Sequence, residues 1–410
     1  LRPPALRPLS GRLLPATGLS AGVGVRCRHP FHFARDICYS TATVSEYKNT
    51  LLRIPQGTEG FYLEEAFRHR RLVSRMEELF YHWGYLPVQT PVFDFYDVYE
   101  PLLSNEQLGT VYRMIDREGD LLMLRSDVTL FLAKQMGTIL ESGDLPVRVY
   151  YGDTILRHQD PEDISKNEFF QSGVELIGKH GIEGDLEVLL LLANVLQTLG
   201  VPEYYCHMGS RKLLAAACGR DATEVPFSLI RAVVMREREA IREQLAEMGH
   251  DEDTSEALAE LFQFIGDATA LDETLRRLAG RIPERAITEL QYLSELYSQV
   301  EQLDAGGRLR IDLSEVGNQP YHSGVAFQVY VDGIDSAVSA GGRYDGLLSA
   351  FGFDAPSVGF SLMLRKLQPI IERHGEAETP REPAEASGDS FAERYRHAQR
   401  ERAKGNVVTL

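Results

Sequence analysis

The apolar residues of this 410-residue chain change their period twice. From about residue 51 to 210, short strand-like runs alternate with amphipathic helical stretches. From about 211 to 305 the pattern is helical, dominated by Ala, Leu, Glu and Arg and sparse in Gly. Strand-like runs then return. Strands grouped around helices, without a βαβαβ rhythm, predict an α+β fold with a mostly antiparallel sheet, interrupted by a helical insertion.

The elements that matter can be placed individually. Residues 61–83 read as one helix, with Phe67, Leu72, Met76, Leu79, Phe80 and Trp83 at helical spacing, stopped at Gly84. Tyr85 to Phe93 reads as a β-rich run ending at Pro91. Leu121–Leu124 is a short strand, and Asp127 is placed to cap a helix over Val128–Met136. Val147–Tyr151 and Phe169–Ile177 are further strands, Asp185–Leu199 a long apolar helix and Tyr204–Gly209 a strand. After the insertion come strands at Leu309–Leu313, Ser323–Val331 and Ala337–Ala340, and a helix over Ser361–Ile371.

The two ends look different from the middle. Residues 1–45 read as a basic extension outside the fold. Arg2, Arg7, Arg12, Arg26, Arg28 and Arg35 occur in the first 35 residues with no acidic residue. Upstream translated sequence, a disordered arm and a targeting segment are all compatible with that composition. Residues 373–410 read as a disordered, charged tail with room for one solvated helix. The expected domains are therefore 1–45 extension, 46–210 first part of the core, 211–305 insertion, 306–372 second part of the core and 373–410 tail.

Composition excludes some functions. No run of 18 apolar residues exists, so a membrane-spanning helix is not expected. The net charge of −17 argues against nucleic acid as the main partner. The four cysteines, Cys27, Cys38, Cys206 and Cys218, form no CxxC pair, so no metal site or disulfide framework is expected and a cytoplasmic setting is the default.

Three segments together resemble the catalytic core of class II aminoacyl-tRNA synthetases, and specifically histidyl-tRNA synthetase. Gly84-Tyr85-Leu86-Pro87-Val88-Gln89-Thr90-Pro91 is similar to the dimer-interface motif 1, with Pro91 as its proline. Leu124-Arg125-Ser126-Asp127-Val128-Thr129, Tyr151 to His158 and Phe170-Gln171-Ser172-Gly173-Val174-Glu175 are similar to the motif 2 region. Gly341-Gly342-Arg343-Tyr344-Asp345-Gly346-Leu347 and Gly359 to Arg365 are similar to motif 3. The likeness spans about 52–372, in order and spacing.

The side chains make chemical sense as an amino-acid pocket. Arg157 offers a planar fork of donors to a carboxylate. Glu175 and Asp127 can hold an ammonium or an imidazole N–H. Gln171 shares a strand face with Gly173, expected to leave space above the sheet, and with Glu175, and can donate and accept. Each has a plainer reading: Arg157 and Glu175 as a buried ion pair, Asp127 as a helix cap, Asp345 as a turn former, Arg365 as a surface residue. The resemblance implies that the arginine, glutamine and glutamate contact the amino acid or the activated phosphate. It also implies that Arg157 and Arg365 mark a vestigial nucleotide site.

Four departures from the synthetase point one way. Gly317 stands where the resemblance places an activating arginine; losing such a cation typically costs on the order of 100-fold or more in rate. Gln159 replaces a glutamate after Arg157-His158. The following loop is acidic, with Asp160, Glu162, Asp163 and Glu168 against Lys166. About 38 residues follow the last motif, where a synthetase continues into an anticodon-binding domain.

A histidine pocket without activation chemistry is similar to the ATP phosphoribosyltransferase regulatory subunit family, synthetase paralogues with no catalytic residues. Membership would imply no cofactor, a hetero-octamer with the short-form catalytic subunit, a self-dimer, L-histidine as effector and no tRNA partner. Asp127, Arg157, Gln171, Glu175, Tyr321, His322 and Tyr344 are the expected histidine-binding residues, with His322 standing for a family tyrosine. It could hydrogen-bond the ligand or only fill space. A truncated histidine-activating enzyme and a histidine- or tRNA-sensing module are the competing readings.

Overall fold

The structure is a computed structural model that describes residues 55, 57, 58, 60–158, 167–201, 203–303, 309–374 and 379–410. The basic extension 1–45, Gln159 and most of the acidic loop lie outside the described residues.

A nine-stranded sheet carries the fold, built from both sides of the helical block. Its strands are β1 (Leu86–Pro87), β5 (Val147–Leu156), β6 (Glu168–Ile177), β7 (Tyr204–Ser210), β8 (Ile265–Gly266), β9 (Leu309–Asp312), β10 (Val325–Val331), β11 (Ser339–Arg343) and β12 (Ser357–Met363). Their order is β1-β5-β6-β12-β11-β10-β7-β9-β8. Only β1–β5 and β7–β9 run parallel, so the sheet is mostly antiparallel, as expected. A separate three-stranded sheet is ordered β2 (Phe93–Phe95), β4 (Leu121–Leu124), β3 (Arg113–Ile115).

The run Tyr85 to Phe93 is therefore not one strand. Its prolines, which cannot donate to a ladder, divide it between two sheets. The segment Ser361–Met363 is also a correction: it closes β12 in the middle of the large sheet, and the helix starts only at Leu364. A central strand covered on both faces has no alternation to reveal it.

The helix Leu63–His82 buries Leu72, Met76 and Phe80 against the sheet core. Ile182–Thr198 is apolar on most of its circumference and joins the same core. Val128–Ile139 packs into a second core around Tyr99, Met123, Tyr151 and Tyr344. Tyr99 and Phe131 stack there with ring centroids 4.6 Å apart.

The helical block is continuous with the main core. Leu214, Leu229, Leu258 and Leu293 belong to the cluster that holds Phe327 and Phe360. Within the block, β8 pairs antiparallel with β9 and extends the sheet.

The tail differs from expectation. The helix Phe391–Ala403 has a reciprocal capping box between Ser390 and Glu393. It links β13 (Ala384–Glu385) to β14 (Val408–Thr409), which pair in parallel. Ala386, Ala398 and Val408 form a small core beneath it. The apolar residues here are few but placed to meet, which composition alone conceals. No helix of the described residues is long and apolar enough to cross a membrane.

Candidate functional site

Asp127, Arg157, Gln171, Glu175, Tyr321, His322 and Tyr344, widely spaced in sequence, line one cleft. The glycines Gly341, Gly342 and Gly359 complete its floor.

Glu175 sits at the centre. It lies on β6 directly across the ladder from Gly359 of β12. A Cβ at position 359 would collide with the Glu175 carboxylate, so glycine is required there. Thr129 Oγ1 donates to Oε1 at 2.6 Å, and the Tyr344 hydroxyl donates to Oε2. Burial pushes the carboxyl up to about 8, outweighing both hydrogen bonds, and nearby Asp127 adds to the rise.

Asp127 performs two tasks. Its Oδ1 accepts from the backbone N–H of Leu130 at 3.0 Å, capping the helix, as its position predicted. Its Oδ2 accepts from the Tyr321 hydroxyl at 3.1 Å. Arg157 is held by its stem: Nε donates to the Ser126 carbonyl at 2.7 Å, and the guanidinium lies 5.6 Å over the Phe169 ring. Arg157 and Glu175 form no ion pair with each other among the described residues. Gln171 is buried, and its Oε1 has no hydrogen-bond partner among the described residues.

The turn 315–322 forms the remaining wall. Gly317 has a φ of +76°, and a Cβ there would land on the His322 imidazole. Glu315 accepts from the Gly317 N–H at 3.2 Å. The buried Arg211 donates to the carbonyls of Val316 at 2.7 Å and Gly317 at 2.6 Å. Burial, with Arg211 nearby, pulls the His322 imidazole down to about 3, so it stays neutral. Its Nδ1 has no hydrogen-bond partner among the described residues. His322 thus lines the cleft and also fills the space beside Gly317.

Four residues stand apart. Arg365 does not line the cleft; its guanidinium lies 5.1 Å over the Phe61 ring. Asp345 forms the turn, accepting from the Ser357 N–H at 3.2 Å and pairing with Arg343 at 3.1 Å. Gly173 does not open space for a ligand, because a Cβ there would meet the Tyr151 hydroxyl and the Phe360 carbonyl. Pro91 is exposed beside Val92 and Phe93, and its carbonyl accepts from Arg125. Thr129, Asn318, Ser361 and Met363 also line the cleft without having been singled out. Thr129 lies two residues past Asp127, at the end of the motif 2-like segment 124–129, so its sequence position carries the signal.

The cleft is narrow, about 60 Å³. That is room for a few waters, so an amino acid enters only if the walls part. What the arrangement offers chemically is a cation, two carboxyls, an unpaired amide oxygen and neutral aromatic walls: the complement of a zwitterion with a polar ring.

The histidyl-tRNA synthetase family model matches residues 57–367. The chain is 32% identical over 374 residues to the ATP phosphoribosyltransferase regulatory subunit of Moorella thermoacetica, covering 88% of this chain and 92% of that protein. It is 31% identical over 332 residues to the protein of the same name from Geobacter sulfurreducens, covering 79% and 74%. Among solved structures, an ATP phosphoribosyltransferase regulatory subunit/histidyl-tRNA synthetase from Bacillus halodurans has the same fold, with a TM-score of 0.74 at 24% identity, covering 88% of this chain and 92% of that one. A histidyl-tRNA synthetase from Nostoc gives 0.69 at 18% identity, covering 87% and 85%. The chain belongs to the ATP phosphoribosyltransferase regulatory subunits, within the histidyl-tRNA synthetase-like family.

Proposed function

We infer that this chain is a non-catalytic regulatory subunit of ATP phosphoribosyltransferase and acts in histidine biosynthesis, at its first step. It partners the short-form catalytic subunit in a hetero-octamer, activates it and transmits feedback inhibition by L-histidine. The observation that carries the reading is the cleft itself. It keeps Arg157, Gln171, Glu175 and Tyr344 together, while the place of an activating arginine is taken by Gly317 with His322 packed against it.

In this reading Arg157 holds the histidine carboxylate. Glu175 and Asp127 hold the ammonium and the ring N–H, and Gln171 supplies its unpaired oxygen. Tyr321, His322 and Tyr344 form the ring's walls. Because the cleft must widen, the ligand binds one shape of the 315–322 turn better than the other. That difference is the coupling energy, typically about 1–3 kcal/mol.

A self-dimer accompanies this role. Phe93, Phe95 and Met114 share one face of the three-stranded sheet and are exposed, next to Val92 and Pro91. The resemblance puts motif 1 at a subunit interface, and this apolar face lies in that segment.

Calorimetric titration with L-histidine tests the proposal, alongside an assay of the catalytic subunit with and without the chain. Binding lost in Arg157→Ala and Glu175→Ala, and transferase activity that depends on the chain, are the expected results. Histidine-dependent exchange of pyrophosphate into ATP would instead establish a histidine-activating enzyme.

A further inference from the structure

A second cavity, about 560 Å³, shares no lining residue with the amino-acid cleft. It falls in the size range of small-molecule sites. The two nevertheless meet on one strand end: Arg343 faces this cavity and the adjacent Tyr344 faces the cleft. Its walls come from both halves of the fold. Gly324 and Arg343 belong to the sheet side, and Lys212, Arg220, Arg285 and Tyr292 to the helical block.

The charges sort into two sets. Three of the four acidic groups are already balanced, and Asp221, beside Arg220, has no ion-pair partner among the described residues. Asp185 is 1% exposed, paired with Arg343 at 2.6 Å and accepting from the Tyr292 hydroxyl. Asp345 pairs with the same Arg343, and Glu289 pairs with Lys212 at 2.8 Å. Each carboxylate keeps lone pairs for further donors. Arg220 and Arg285 differ: both line the cavity, both are exposed, and neither has an ion-pair partner among the described residues. Arg285 lies in the first turn of the helix Glu284–Gln302, whose dipole adds to its positive field.

Unpaired guanidinium groups beside paired carboxylates call for a ligand with an anionic end and a hydroxyl-bearing end. A bare phosphate would leave the carboxylates facing a like charge. A neutral sugar would leave the arginines unused. We propose that this cavity binds a phosphorylated sugar, with its phosphate on Arg220 and Arg285 and its hydroxyls donating to the carboxylates. The site is independent of the amino-acid cleft.

The test is calorimetric titration of the full chain with ribose 5-phosphate, and in parallel with ribose and with inorganic phosphate. Saturable binding of ribose 5-phosphate is expected, with each fragment at least about tenfold weaker. The double variant Arg220→Gln, Arg285→Gln should weaken it by at least about tenfold, since two charge-assisted contacts are lost. Both side chains are exposed, so the variant folds, which an unchanged thermal midpoint verifies. Arg157→Ala should leave ribose 5-phosphate binding intact while abolishing that of histidine, which separates the two sites. Absence of saturable binding, equal binding of inorganic phosphate, or full binding by the double variant would overturn the proposal.

Discussion

The His322 imidazole occupies the volume that any side chain at Gly317 would need. The two positions are thus one unit, and the turn that carries them is pinned from below by Arg211 and Glu315. Gly317→Ala suffers two penalties, a φ of +76° and overlap with the ring, together about 2–4 kcal/mol. In a His322→Ala background only the backbone penalty remains, about 1–2 kcal/mol. Chemical denaturation of the four proteins in this cycle measures the coupling; strict additivity would show that the ring moves aside freely.

Glu175 links histidine affinity to pH. With its carboxyl near 8 in the free protein, the ionised form that an ammonium needs is the minority at pH 7. Affinity should therefore rise with pH between about 7 and 8, by up to tenfold per unit at the acid end. Proton release on binding, read by calorimetry in buffers of different ionisation enthalpy, is the second signature. Glu175→Gln should bind about 10- to 100-fold more weakly and lose the pH dependence.

The same group shapes the stability of the unliganded protein. Its folded value, about 8, lies above its unfolded value of 4.5, so the folded state retains a proton that the unfolded state has released. Its stabilising contribution is complete below about pH 4.5 and is lost as the pH rises to about 8. Glu315, pushed up to about 7 by burial, acts in the same direction. Denaturation midpoints should fall across this window, and less steeply in Glu175→Gln. An identical slope in that variant would place the proton elsewhere.

Much of the cleft was legible because its residues sit in motifs whose chemistry is local in sequence. Asp127 is readable as a cap from the helix that follows it. Gln171 and Glu175 share a face because they lie an even number of residues apart on a strand. What the sequence hid depends on distance or on burial. Arg211 reaches Val316 and Gly317 from over a hundred residues away. Arg343 meets Asp185 across a similar gap, and nothing in either neighbourhood announces the pair. Ser361–Met363 lacks alternation because both faces of a central strand are covered. The tail read as disordered since its core needs only Ala386, Ala398 and Val408.

The exposed face of the three-stranded sheet should hold two copies together. Phe93 and Phe95 are 52% and 47% exposed, and they pair across the ladder with Leu124 and the buried Leu122. Replacing both with Glu puts like charges opposite each other across a two-fold interface. Sedimentation should show a dimer for the parent chain and a dissociation constant raised about 100-fold or more in the variant. A parent chain that sediments as a monomer would remove this face from the assembly.

Arg125 ties that interface segment to the site. Its side chain is buried, and the guanidinium spends its donors on two segments at once. Nε and Nη2 donate to the Thr154 carbonyl at 3.1 and 2.8 Å. Nη1 donates to the Thr90 carbonyl at 2.7 Å and its hydroxyl at 2.9 Å, and lies 3.1 Å from Asp153. The segment joining β1 to β2 is thereby fixed to β5, one residue short of the carbonyl of Ser126 that positions Arg157. A lysine keeps the charge but cannot reproduce the fork. Arg125→Lys should cost about 2–4 kcal/mol, since Asp153 and the carbonyls of Thr90, Pro91 and Thr154 lose their geometry inside a dry site. It should also weaken the dimer, because the exposed Pro91 and Phe93 lie just beyond the clamp. Asp153→Asn, which leaves every carbonyl contact in place, should cost less. Urea denaturation of the two variants decides the matter: equal losses would mean that the ion pair, and not the carbonyl fork, holds the segment.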